Sequence, residues 1–236
     1  MRSYDDPCGI ARALDAVGER WALLVVRELL LGPKRFTDLT AGLPGVSQNV
    51  LSQRLRELEG AGIVRRRRLG PPSGARGYEL TERGAALEPV VMALARWGSR
   101  EPLTSGAELG TDAFVLALRT AFDPGPAGDL RATYQLDLGD DRFHAEIADG
   151  RFRIARGDAD RPDATLASDG GALRGVVFGG RPLDEVRVQG DRRAAERFVR
   201  SFPRPAVASP APAITSGTAA GAGCRANARA WLKPSP

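Results

Sequence analysis

Over the first hundred positions the apolar residues recur at helical spacing; over the next hundred that spacing gives way to alternation. Ile10, Leu14 and Val17 stand three to four apart, which predicts a first helix from Cys8 to Gly18. Trp21 to Leu31 (WALLVVRELLL) is apolar on most sides, as suits a helix enclosed in a small domain, and Gly32-Pro33 ends it. Phe36 to Leu39 predicts a short third helix and Leu43 to Val46 a turn. Ser47 is an N-cap for a helix running to Gly60, with Leu51, Leu55 and Leu58 forming one apolar stripe. After Gly60-Ala-Gly62, Ile63–Leu69 and Tyr78–Leu80 read as two short strands around the tip GPPSGARG. Thr81 then opens a helix through Trp97.

Glu101 to Thr111 reads as a polar linker. Beyond it, Asp112–Phe122 is an amphipathic helix. Arg131–Leu138, Arg142–Ala148 and Arg151–Ala155 then alternate polar with apolar, as half-buried antiparallel strands do. Ala164–Leu166 is a fourth strand, Gly170–Phe178 a helix, Val186–Val188 a short strand and Asp191–Phe202 a last helix. From Arg204 the chain is rich in Ala, Pro, Gly and Ser, a composition expected to stay disordered.

Charge divides along the same lines. Residues 1–100 hold 16 Lys and Arg against 11 Asp and Glu, whereas residues 101–203 hold 14 against 18. Only the first half suits a polyanion, although charge alone does not separate DNA from RNA or an anionic membrane. Cys8 and Cys224 are the only cysteines, too few for a disulfide framework or a zinc site. No apolar run approaches the roughly 20 residues of a membrane span, and MRSYDDPCGI has no signal-peptide core. A cytoplasmic protein without membrane insertion is the expectation.

The helix from Ser47 carries Asn49, Gln53 and Arg56 opposite its leucine stripe, flanked by Gln48 and Ser52. Such amides and guanidiniums can make bidentate hydrogen bonds to base edges, though a solvated face would look similar. Arg65, Arg66, Arg67, Arg68 and Arg76 crowd the following hairpin, as phosphate contact requires. Ser47, Lys34 and Arg35 complete the candidate DNA-contacting set. Leu87, Val90, Val91, Leu94 and Trp97 give the helix over 81–97 more apolar surface than a compact domain covers. That surplus is expected to meet the first helix in a homodimer; the alternative is packing on the second domain.

Cys8, GERWALLVVRELLLGPKRFTDL, LPGVSQNVLSQRLRELEGAGIV, YELTERGAAL and ARWG, in that order, resemble the HxlR-type winged-helix regulators over residues 7–98. The resemblance implies a dimer that reads an inverted-repeat operator in double-stranded DNA with helix 47–60 and the hairpin as a wing. It also makes Cys8 a candidate redox or electrophile sensor, because a helix N-terminus lowers a thiol's pKa. Asp5 and Asp6 oppose ionisation, which favours an inert thiol.

Pro162–Leu166, Gly179-Gly-Arg-Pro182 and Val188-Gln-Gly-Asp191, the last followed by an amphipathic helix, are similar to the sterol-carrier-protein fold over residues 112–203. That resemblance implies a cavity for a lipid or other apolar effector. Phe114, Phe122, Tyr134, Phe143, Phe152, Phe178 and Phe198 are its candidate lining, or equally plain core.

The fold expectation is therefore multidomain. A mainly-α winged helix-turn-helix (1–100) and a linker (101–111) precede an α+β domain (112–203), with an antiparallel-type sheet and helices on one face. A disordered tail (204–236) follows. His144 is the only histidine, and no Ser/His/Asp set or phosphate loop is present, so neither catalysis nor a cofactor is expected. The leading expectation is a DNA-binding regulator; the rival is a carrier of apolar ligands whose helical half is an interaction module.

Overall fold

A computed structural model describes residues 4–70, 74–101 and 109–203. The expected disordered tail, most of the linker and the wing tip at Pro71-Pro72 lie outside these residues.

The first lobe begins with α1 (Gly9–Val17), α2 (Ala22–Leu29), α3 (Phe36–Gly42) and α4 (Gln48–Gly60). Ser47 caps α4, its hydroxyl accepting from the Val50 amide at 3.3 Å. Leu51, Leu55 and Leu58 turn inward against Val25, Val26, Leu29 and Leu39. Strands β1 (Val64–Arg68) and β2 (Arg76–Leu80) pair antiparallel, Val64 opposite Leu80 and Arg68 opposite Arg76. Lys34 adds a third chain to this small sheet, exchanging backbone hydrogen bonds with Tyr78 at 3.0 and 2.8 Å. Gly77 makes the close approach feasible, since a Cβ there would lie 2.9 Å from the Lys34 carbonyl oxygen.

The expected single helix through Trp97 is two: α5 (Glu82–Ala85) and α6 (Glu88–Gly98). Pro89 stands in the first turn of α6, where its missing amide costs nothing, but it could not donate within a continuous helix.

The second lobe runs α7 (Thr111–Ala121), α8 (Pro124–Ala127), β3 (Ala132–Leu138), β4 (Asp141–Ala148), β5 (Arg151–Arg156), β6 (Ala164–Ser168), α9 (Gly170–Gly179), β7 (Arg187–Gly190) and α10 (Arg192–Arg200). Its sheet order is β5-β4-β3-β6-β7. The expected antiparallel-type sheet is corrected to a mixed one, because β3 and β6 are parallel. The reason lies in residues 157–163. They carry the chain from the β5 edge across the polar face to the far side of β3, so β6 arrives running in the same direction. Gln135, on that polar face, is buried beneath the crossing, and its Oε1 accepts from the Ala159 amide at 2.7 Å. On the other face Tyr134, Leu136, Phe143, Ala145, Ile147 and Leu166 meet the buried sides of α7, α9 and α10. The helices thus lie on one face of the sheet, around a core separate from that of the first lobe.

Charge joins the lobes. Glu28 on α2 and Asp112 on α7 have side chains only 3% and 1% exposed. Lys34 lies between them, its Nζ 2.5 Å from Glu28 Oε2 and 2.6 Å from Asp112 Oδ2. The second contact is out of line for a hydrogen bond and acts as an ion pair. Arg27 bonds Glu28 Oε1 at 2.7 Å, and Arg156 bonds Asp112. Arg119 of α7 pairs with Glu88 of α6. Helix α6 packs on α7 of the second lobe, the alternative to a dimer contact, while Val90, Leu94 and Trp97 stay exposed. Among the described residues no helix is long and apolar enough to cross a membrane.

Removing one partner of a buried pair strands the others, at a cost of about 3–5 kcal/mol. Lys34→Met should therefore lower unfolding stability by that amount in urea titration. A change within about 0.5 kcal/mol, typical of a surface site, would show that the two carboxylates do not depend on it.

Candidate nucleic-acid interface

Helix α4 is one turn longer than its leucine stripe needs, and its other side is polar. Gln48, Asn49, Ser52, Gln53 and Arg56 are all exposed on it. Gln53 donates to Glu57 at 3.0 Å and Arg56 to the Ser52 carbonyl at 3.4 Å, so both are partly held in place. Arg54, four residues before Leu58 on the inner side, is buried instead. It pairs with Glu57 and, at 3.6 Å, with Glu19 in the turn before α2. Sequence reasoning gave Arg54 no role, although a guanidinium one position from Leu55 on the stripe was the available signal.

The hairpin sorts its arginines by strand alternation. Arg65 and Arg67 point to one side and share Glu79, at 2.8 and 2.6 Å. Glu79 is held below the usual glutamate range, chiefly by the hydrogen bond from Arg67. Arg66 points to the other side, where it binds Glu59 of α4 through two nitrogens at 3.0 and 3.3 Å and lies over the Tyr78 ring. Arg68 and Arg76 face each other at the outer end and pair with no carboxylate among the described residues. Together with Arg66, Arg67 and Gly74 they line a cleft of about 440 Å³. Arg66 thereby ties wing to helix, and the outermost pair remains available for a polyanion.

Arg35 is exposed at the start of α3. Lys34 departs from the expected contact set. Its ammonium is spent between Glu28 and Asp112 and only 14% exposed, so the expectation that it meets DNA is corrected.

Residues 16–103 match the family described as HxlR-like helix-turn-helix. YvaP of Bacillus subtilis, an uncharacterised HTH-type transcriptional regulator, is 39% identical over 88 residues, covering 37% of this chain and 82% of that protein. The HTH-type transcriptional regulator YodB of the same organism is likewise 39% identical over 88 residues, covering 37% and 79%. The chain belongs to the HxlR-like helix-turn-helix family. The family match ends before α7, so the second lobe is outside it.

In the HxlR-like lobe, Cys8 is exposed at the N-cap of α1. The amides of Ala11 and Ile10 hold its thiol below the ordinary range. The Asp6 carboxylate beside it accepts from the Cys8 amide at 2.8 Å.

The seven aromatics expected to line a cavity mostly touch one another or Phe202, an eighth aromatic buried among them. Phe114 meets Phe178 at 6.0 Å, and Tyr134, Phe198, Phe152 and Phe122 follow in ring contacts of 4.8 to 6.2 Å. Phe143 lies under the Arg156 guanidinium. The Tyr134 hydroxyl donates to the Ala194 carbonyl, and burial pushes its pKa well up. His144 is exposed on the open face of the sheet.

A lowered thiol pKa means more thiolate at a given pH. The alkylation rate of Cys8 by iodoacetamide, followed on its own peptide by mass spectrometry so that Cys224 does not interfere, should have a pH midpoint below 9.0. A midpoint at or above that value would mean the α1 amides do not reach the sulfur.

Proposed function

We propose that the protein is a dimeric, sequence-specific DNA-binding transcriptional regulator, with α4 in the major groove and the β1–β2 wing on neighbouring phosphates. The observation that carries this is the exposure of Gln48, Asn49, Ser52, Gln53 and Arg56 on α4 together with that of Arg65–Arg68 and Arg76 on the hairpin, which Arg66 ties to α4 through Glu59. Amides and guanidiniums can read base edges, while the arginines displace counterions from phosphates. Family membership and the HTH-type regulators among its relatives support the same reading.

The dimer rests on a second surface. Ile10 and Leu14 of α1 and Val90, Leu94 and Trp97 of α6 are exposed between 42% and 72%. An apolar seam of this extent fits a second copy of the chain, and Cys8 stands two residues before Ile10 at the start of α1. Modification of the thiol would then act on the dimer, which is how it could serve as a sensor. The second lobe, over 112–203 beyond the 101–111 linker, is taken as an effector or bracing domain. The helical layer over one sheet face supports its sterol-carrier-like reading.

Replacing Asn49 or Gln53 by Ala should cost about 1–3 kcal/mol on the operator and little on random DNA. Replacing Arg68 or Arg76 should weaken both and lower the salt slope by about one unit. Equal losses on operator and random DNA for Asn49→Ala would count against the division of roles.

Dimers with half-sites about 10 bp apart, or a multiple of a helical turn, should give a two-part footprint. Trp97→Ser should shift the protein toward monomer in analytical ultracentrifugation. A wild-type chain that is already monomeric at micromolar concentration removes the dimer from the proposal.

A further inference from the structure

A cleft of about 320 Å³ opens where the lobes meet. Leu30 and Leu31, at the end of α2, form one wall; β5 from Phe152 to Arg156 forms the other, and Arg119 of α7 borders both. Leu31, Phe152 and Ile154 are half-buried and pack on the second core. Strand β5 pairs only with β4, so alternate amides and carbonyls along its outer edge meet no strand and face the cleft. Arg119, Arg153 and Arg156 are among the lining residues and no acidic residue is, although the Arg153 guanidinium is directed toward Glu146.

We propose that this cleft binds a small organic anion with an apolar body, a carboxylate or sulfonate on an aromatic ring or medium-length acyl chain. The junction, rather than the aromatic core, is then the effector site. The volume lies at the lower end of the range of about 300–1,000 Å³ for small-molecule sites. It equals about ten waters, room for one small molecule and not for an added strand. Leu30, Leu31, Phe152 and Ile154 suit the apolar body. Arg119 already holds Glu88, Arg156 holds Asp112 and Asp141, and Arg153 lies 3.5 Å from Glu146. A guanidinium has five N–H donors, however, and one or two carboxylate oxygens leave several unspent. Those acidic partners lie outside the lining, so an anion in the cleft extends the ion-pair chain. A neutral lipid would cover the same donors without satisfying them.

The walls belong to different lobes, so affinity depends on how the lobes are seated. Leu31 is three residues from Lys34, whose backbone pairs with Tyr78 in the wing sheet, and Arg119 holds Glu88 at the start of α6. A ligand that favours one seating therefore biases both the wing and the seam helix. This coupling rests on the DNA-binding function proposed above; the binding site itself does not.

The test uses the full chain with anilinonaphthalene sulfonate as fluorescent probe, and decanoate and decanol as competitors. One saturable site per chain is expected, with decanoate displacing the probe about tenfold more effectively than decanol. Ala155→Trp fills the cleft from an exposed position and should weaken the probe about tenfold without lowering Tm. Arg119→Gln should abolish the preference for decanoate over decanol. Arg192→Gln, exposed beside β7 at the opposite edge of the sheet from β5, should leave probe binding unchanged. Unaltered binding by Ala155→Trp, loss of binding in Arg192→Gln, or equal competition by decanol would each overturn the site. In a mobility-shift assay decanoate should change the DNA affinity of the wild-type chain and not of Ala155→Trp. Unchanged affinity in the wild type overturns the coupling alone, and absence of any DNA binding overturns the proposed function while leaving the probe result standing.

Discussion

Two carboxylates, Glu28 and Asp112, face each other across the junction between the lobes, and Lys34 is what lets both be buried there. An isolated carboxylate away from water costs several kcal/mol unless paired and hydrogen-bonded. Three conditions meet at this point. Arg27 and Arg156 take the remaining oxygens, and Asp112 stands in the first turn of α7, where the helix dipole favours negative charge. Gly42 has no side chain, since a Cβ there would collide with the Glu28 carboxylate. Lys34 does a second thing through its backbone, closing the wing sheet against Tyr78. One residue thus sets the wing's position relative to α2 and joins it to the second lobe. The lobes are docked through a specific set of contacts, and the linker is not all that connects them.

The polar chemistry of the first lobe follows from the same economy of pairing. Five arginines on a hairpin repel one another, and the fold answers with Glu79 on one face and Glu59 on the other. Exposed bridges of this kind contribute little to stability, about 0–1 kcal/mol each, but they fix the direction of long side chains. Among the described residues no carboxylate pairs with Arg68 or Arg76, at the end of the strands away from α4. A guanidinium surface ordered at its base by Glu79 and Glu59 has the arrangement a phosphate backbone would meet. On α6 the division is apolar instead. Val91 and Met92 turn inward while Val90, Leu94 and Trp97 stay outside.

The sequence by itself determined most of the local structure. The leucine stripe and Ser47 placed α4 within one residue, and alternation placed β3, β4 and β5, because periodicity and capping depend only on neighbours in the chain. Charge blocks along the chain separated a basic half from an acidic one. Local patterning also left α4 with a polar outer face, since whatever opposes a core stripe on a helix must face outward.

Only the tertiary structure decided partners. Lys34 reads like any basic residue before a helix, and nothing near it in sequence announces Asp112, 78 positions later, as its counterion. Glu79 was legible only once the register set Arg65 opposite it. The parallel pairing of β3 with β6 could not be read from alternation, which is the same in parallel and antiparallel strands. It depended on where a loop crosses the sheet, and Gln135 is buried for that reason alone. The break at Pro89 was visible in the chain but ambiguous, since proline suits the first turn of a helix as well as it ends one. The junction cleft has walls from α2, α7 and β5, elements more than 80 residues apart at the extremes. Proximity of this kind arises when two separately built cores dock, and no window along the sequence contains it.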